Sequence, residues 1–180
     1  MKNSALCDLR GSGLDLAIMR IHLATDHAGL ELLRDLADHL ADLGHDVVDH
    51  GPADYDAQDD YPGFCIRAAQ AVVADIDSGV DARGIVLGGS GNGEQMAANK
   101  VPGARAALVW NRDTAVLARE HNDANIAAIG ARQHAFDEAV LLIEAFLATA
   151  FSGDERHRRR IGQIRHFEAT GEAPETGTTY

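Results

Sequence analysis

The sequence predicts an α/β fold: a three-layer α/β/α sandwich around a five-stranded parallel sheet, Rossmann-like in its layering. Three observations carry that expectation. Five short β-type runs alternate with longer amphipathic stretches, the pattern of parallel strands joined by helical crossovers. The clusters "TDHAG", "GGSGNGE" and "WNRD" each follow a strand run, while the strand starts carry nothing comparable; ligands of open parallel sheets bind outside the strand carboxyl ends. Finally, 180 residues with 46% hydrophobic and 24% charged content suit one well-packed domain and leave little room for a second.

The elements follow in order. Residues 1–18 are interrupted by Asp8, Arg10 and Asp15, too polar for the apolar core of a signal peptide. They are expected to form a disordered extension outside the fold, with Met19 a candidate start. Strand runs fall at 20–25, 45–50, 84–89, 104–110 and 125–130. The first intervening helix, 28–44, sets Leu32, Leu33, Leu36, Leu40 and Leu43 on one face, and Gly44 supplies its stop. Further helices are expected at 62–75, roughly 92–100, 112–122 and 134–149. A polar helix at 153–170 carries a basic cluster and completes a single domain over 19–170. The tail 171–180 has little to bury and is expected to be disordered.

Bulk charge narrows the function. A net charge of −12 argues against nucleic-acid binding, which needs a basic surface. No apolar run approaches membrane-spanning length. Cys7 and Cys65 lack metal-like spacing and read as reduced thiols of a cytoplasmic protein. The only lysines are Lys2 and Lys100. Positive charge is therefore almost all arginine, whose planar fork suits phosphate.

The segment "GGSGNGEQMAANK" (88–100) is the most specific one. A Walker-type loop would need lysine where Glu94 stands, and the dinucleotide pattern would need glycine at Glu94 or Met96; both fail. What remains is a run of backbone N–H groups at a helix start, able to hold a phosphate or a transient oxyanion. Beside an oxyanion, Glu94 has a purpose as the base that creates it. The competing reading is structural: a carboxylate in the first helical turn favoured by the dipole, Asn92 with Gln95 as a capping box, and Ser90 as a turn residue.

Read together, "GGSGNGEQMAANKVPGARAAL", "ATDHAGLELL" and "AREHNDANIAAIGAR" resemble the type B ribose-5-phosphate isomerase family, which includes the galactose-6-phosphate isomerase subunits. The resemblance runs from about Met19 to about Phe167. It implies substrate contacts from Asp26 and His27 and an anion hole from Gly89, Ser90, Gly91, Asn92 and Gly93. It implies ring opening by His121, with Asn122 as a substrate ligand. Arg132, Arg156 and Arg160 would grip the phosphate, the last helix reaching a neighbouring subunit's site. Many members use a cysteine base where this chain has Gly88. The chain is similar instead to an actinobacterial subgroup in which a glutamate at the position of Glu94 takes over. His39 and His45 are expected at the surface, Arg158 and Arg159 facing solvent, and His157 without a chemical role.

The resemblance thus implies an aldose–ketose isomerase of a phosphorylated sugar, with ribose 5-phosphate as the expected substrate and no metal or organic cofactor. Glu94 would move the proton between C2 and C1, Ser90 and the loop amides would brace the oxygens, and Asp26 would assist ring opening. A homodimer or tetramer with shared sites follows. Allose or galactose 6-phosphate and a tetrulose phosphate are alternative substrates. A sugar-phosphate-binding module would gain nothing from Glu94 beside its anion, and an inert subunit would not need Glu94, His121 and the arginines together.

Overall fold

A computed structural model describes residues 17–180, so the expected extension lies, except for Ala17 and Ile18, outside the described residues. The elements in chain order are β1 (Arg20–Ala24), α1 (Leu30–Asp42), β2 (Asp46–Asp49), α2 (Tyr61–Asp77), β3 (Ala82–Gly88), α3 (Asn92–Ala98), β4 (Ala106–Leu108), α4 (Arg112–Asn122), β5 (Ile126–Gly130), α5 (Phe136–Ala148) and α6 (Glu155–Thr170). The five strands form one sheet in the order β2-β1-β3-β5-β4, every pair parallel.

Side chains alternate across the three central strands. Ile21 and Leu23 of β1, Ile85 and Leu87 of β3, and Ala127 and Ile129 of β5 join a core under α1, α4 and α5. Ala24, Val86, Ile126 and Ala128 face the opposite way into a second core under α2 and α3. The period of two places a strand's neighbours on opposite faces, so each strand feeds both layers. This is the expected three-layer α/β/α fold.

Several local expectations shift. In α1 the buried stripe is Leu30, Leu33, Leu36 and Leu40. Leu43 caps the helix and stays 43% exposed, because the stripe drifts away from the sheet over the last turn. Gly44 does adopt the left-handed conformation of a helix stop, at φ 92°. β4 is shorter than its apolar run because it is an edge strand paired only with β5. His45 is buried and accepts the Met19 N–H, and burial lowers its pKa. His39 ties α1 to α5 through Glu144 at 3.0 Å. The tail folds back on α6, with Tyr180 stacked on His166 at 3.8 Å and Gln163 Nε2 donating to the Thr178 carbonyl at 2.9 Å.

Candidate active site

The carboxyl ends of the three adjacent strands β1, β3 and β5 deliver the chemistry-bearing side chains. Connections leave β1 and β3 in opposite directions along the sheet, which opens a crevice where loops diverge. Asp26, His27, Gly89, Ser90, Glu94 and Arg132 line one cavity there. Gly93, Tyr61 and Gln133 complete its wall.

The glycine loop is held by its neighbour. After β5 the chain crosses it: Ala131 N donates to the Gly88 carbonyl at 2.7 Å and Arg132 N to the Gly89 carbonyl at 3.2 Å. That crossing brings the Arg132 guanidinium beside Gly89. Gly91, at φ 80°, starts α3 from the left-handed region. A side chain there would also press on Leu108 and the Ile129 backbone, so the position accepts little else. Asn92 does not form the expected capping box with Gln95. Its amide instead donates to Ser90 Oγ at 3.2 Å, and α3 has no side-chain cap. The capping box of this sheet belongs to α4, between Asn111 and Thr114.

Glu94 is 4% exposed. A Cβ built on Gly88 would overlap its carboxylate, so the side chain occupies the space a residue-88 side chain would take. Burial pushes its pKa above the ordinary carboxylate range; the backbone N–H of Glu94 opposes this and the nearby Asp26 charge adds to it. Cys65 lies close by but is fully buried, and burial first, then the Glu94 and Asp26 charges, push its thiol up to about 12. It stays protonated near neutral pH and cannot serve as a base.

Asp26 is anchored by accepting the Ala28 N–H at 2.9 Å. His27 is held by Asp59, which lies outside the three sequence motifs. One carboxylate oxygen takes the His27 backbone N–H at 2.9 Å and its Nδ1 at 2.7 Å, leaving Nε2 for a ligand. Asp26, His27 and Asp59 place potential metal-ligand atoms within 4.8 Å of one another. Asp59 Oδ1 is already committed to both His27 groups, an arrangement suited to orienting an imidazole. Tyr61 was also missed; its ring packs against Gly93. Asp59 lies in the loop after β2 and Tyr61 opens α2 directly behind it, where the rule that ligands gather at strand carboxyl ends would have found them.

His121, Asn122, Arg156 and Arg160 are not in this cavity. α4 carries the chain from the carboxyl end of β4 back to the amino end of β5, so its last residues lie at the opposite edge of the sheet. Arg105, just before β4, confirms this by donating from Nε to the Asn122 carbonyl at 3.2 Å. Five strand residues separate the two edges by about 16 Å. At that far edge His121 lies 4.3 Å, ring to ring, from His157. His157 is buried: it accepts from Arg156 Nε at 3.0 Å, and its Nδ1 lies 2.8 Å from Ser152 Oγ. Burial, then His121 and Arg156, lower its pKa, so it holds Arg156 as a neutral ring.

A family model described as Ribose/Galactose Isomerase matches residues 21–164. Ribose-5-phosphate isomerase B of Mycobacterium tuberculosis is 54% identical over 87% of this chain and 94% of its own length. A probable ribose-5-phosphate isomerase B of Mycoplasma genitalium is 41% identical over 82% of this chain and 95% of its own. Among solved structures, ribose-5-phosphate isomerase B from Mycoplasma genitalium with bound ribulose 5-phosphate superposes with TM-score 0.80 at 40% identity, covering 84% of this chain and 97% of that one. The Clostridium thermocellum ribose-5-phosphate isomerase B gives TM-score 0.78 at 40% identity, covering 86% and 100%.

Proposed function

The chain belongs to the ribose/galactose isomerase family, and we propose from this that it is a sugar-phosphate aldose–ketose isomerase converting ribose 5-phosphate to ribulose 5-phosphate with Glu94 as the base. The observation that carries the glutamate assignment is steric. The Glu94 carboxylate, reaching in from α3, fills the space that a side chain at residue 88 would take, which supports Glu94 as the group that takes over there. The ribose-5-phosphate isomerase B relatives and the ribulose 5-phosphate bound to the Mycoplasma genitalium enzyme support the substrate.

His121, supplied by a second copy because it stands at the far edge of its own sheet, exchanges protons with the ring oxygen and the O1 hydroxyl to open the sugar. Glu94 takes the C2 proton of the open aldose, and the electron pair moves into the C1 carbonyl to give an enediolate. Loop N–H groups between Gly89 and Gly93, with Ser90, hold the charged oxygen. Glu94 returns the proton to C1 as the hydroxyl proton moves from O2 to O1. A raised pKa suits this shuttle, since a base that must also give its proton back works best near ambient pH. Asp26 and His27 orient the substrate hydroxyls, with Asn122 from the second copy. Arg132, and Arg156 and Arg160 from that copy, bind the phosphate, supplying energy remote from the reacting carbons.

The active unit in this reading is a homodimer or a larger symmetric assembly of a cytoplasmic enzyme, its isomerase domain spanning 19–170. The chemistry is complete without a metal or organic cofactor. A spectrophotometric assay of the purified protein with ribose 5-phosphate, allose 6-phosphate and a tetrulose phosphate tests it. Ribose 5-phosphate should give the highest kcat/KM. A preference for either alternative revises the substrate, and no turnover of any of the three refutes the isomerase.

A further inference from the structure

The amino edge of the sheet holds a second concentration of arginine in an acidic chain. A cavity of about 440 Å³ there is lined by Arg83, Arg105, Arg119 and Arg165. Two of these are committed: Arg105 donates to the Asn122, Asp123 and Gly103 carbonyls and to the Asp123 carboxylate, and Arg83 Nη1 donates to Asp81 at 2.9 Å. The remaining donor capacity is what distinguishes the site. Arg83 Nε is buried without a partner. The Arg119 side chain is 5% exposed and bonds through Nε and Nη1 to Thr149, Asp123 and Ala124, while its Nη2 takes no partner among the described residues. Arg165 forms no hydrogen bond or ion pair among the described residues, although it faces this cavity.

The nearby carboxylates do not absorb this surplus. Asp81 is taken by Arg83, Asp123 is divided between Arg105 and Arg119, and Glu168 accepts the Gly103 N–H at 3.1 Å. Asp77 is exposed. The unmet buried donor of Arg83 is costly, and burial first, then repulsion from Arg83 and more weakly from Arg105, disfavour the charge on Arg119 against the opposing pull of Asp123. An anion relieves both penalties. Guanidinium forks match the oxygens of phosphate, and the volume exceeds that of the bare ion. We propose that the cavity at the amino edge of the sheet is a second anion site, taking a small phosphate-bearing ligand between Arg83, Arg119 and Arg165. It is separate from the glycine-loop cavity and stands whether or not the isomerase reading does. Asp123 and Asn125, between α4 and β5, form part of its wall.

Calorimetry of the full chain tests this, with inorganic phosphate and a pentitol phosphate as separate probes. The background is Arg132→Ala with Arg156→Ala and Arg160→Ala, in which the catalytic phosphate grip is absent. One phosphate site per chain should remain. Adding Arg165→Ala, an exposed residue without partners, should weaken it about ten- to hundredfold, the loss of one charged hydrogen-bonding group. Arg83→Gln should do the same. In the otherwise wild-type chain, Arg165→Ala should leave isomerisation unchanged. Tighter binding of the pentitol phosphate identifies an ester as the ligand, and equal binding identifies the phosphate group alone. Absence of a residual site, or a residual site unaffected by both Arg165→Ala and Arg83→Gln, overturns the proposal. So does a native mass spectrum in which Arg165→Ala breaks an oligomer while phosphate fails to bind, which would assign the face to a second copy.

Discussion

Replacing Glu94 by glutamine separates a base from a helix residue. The two side chains are nearly isosteric, so glutamine still fills the space above Gly88 that the carboxylate occupies. Only the proton acceptor is lost. A positioned general base contributes about a hundred- to ten-thousand-fold, which at about 1.36 kcal/mol per decade raises the barrier by roughly 2.7–5.4 kcal/mol. Arg132, Asp26 and His27 are untouched, so KM should move little. The burial that raises the Glu94 pKa also fixes the sign of the stability change. Between the ordinary carboxylate pKa and the raised folded value, the native state binds more protons than the unfolded one. Wild-type stability therefore falls as pH rises through that window, and the glutamine variant should lack this component and be at least as stable at neutral pH. The assay is the pH dependence of kcat and KM for ribose 5-phosphate beside thermal unfolding of both proteins. Wild-type kcat/KM should rise with pH through a pKa above the usual carboxylate range. Retention of more than about a tenth of wild-type kcat would refute the base assignment.

Four further outcomes follow. Gly88→Ala puts a Cβ where the Glu94 carboxylate lies and should cut kcat at least tenfold, roughly, by displacing the base; unchanged kcat would show that the contact is unimportant. Cys65→Ala should keep the activity of the folded enzyme, since a buried thiol with its pKa pushed up to about 12 takes no part, and a loss comparable with that of Glu94→Gln would give Cys65 a role in the chemistry. His121→Ala should impair isomerisation of ring-forming sugar phosphates far more than that of an open-chain tetrose phosphate, equal losses excluding ring opening. Finally, Glu94→Gln mixed with Arg156→Ala/Arg160→Ala under verified subunit exchange should recover activity towards half in the mixed dimers, because one site then carries both defects and the other neither. Complete exchange without recovery would place both arginines outside a shared site.

The elements of this protein were readable in one dimension because their periodicities are local. The 3.6-residue leucine stripe of α1, the apolar runs of β1, β3 and β5, and Gly44 beyond α1 need no knowledge of the rest of the chain. The glycine loop and Glu94 were equally visible, since strand, turn and helix there are contiguous. Burial was not. Which end of the leucine stripe meets the sheet depends on where α1 sits, so Leu30 is covered and Leu43 is not. Neither the raised pKa of Glu94 nor the inertness of Cys65 appears in the residue string, because both come from desolvation by segments far apart in sequence. Asp59 reaches His27 across 32 residues. Most of all, "REHN" and the glycine loop look like parts of one site until the chain is folded. α4 runs antiparallel to the strands, so its end lies about one strand length from Glu94, and direction in space is a property that residue order does not carry.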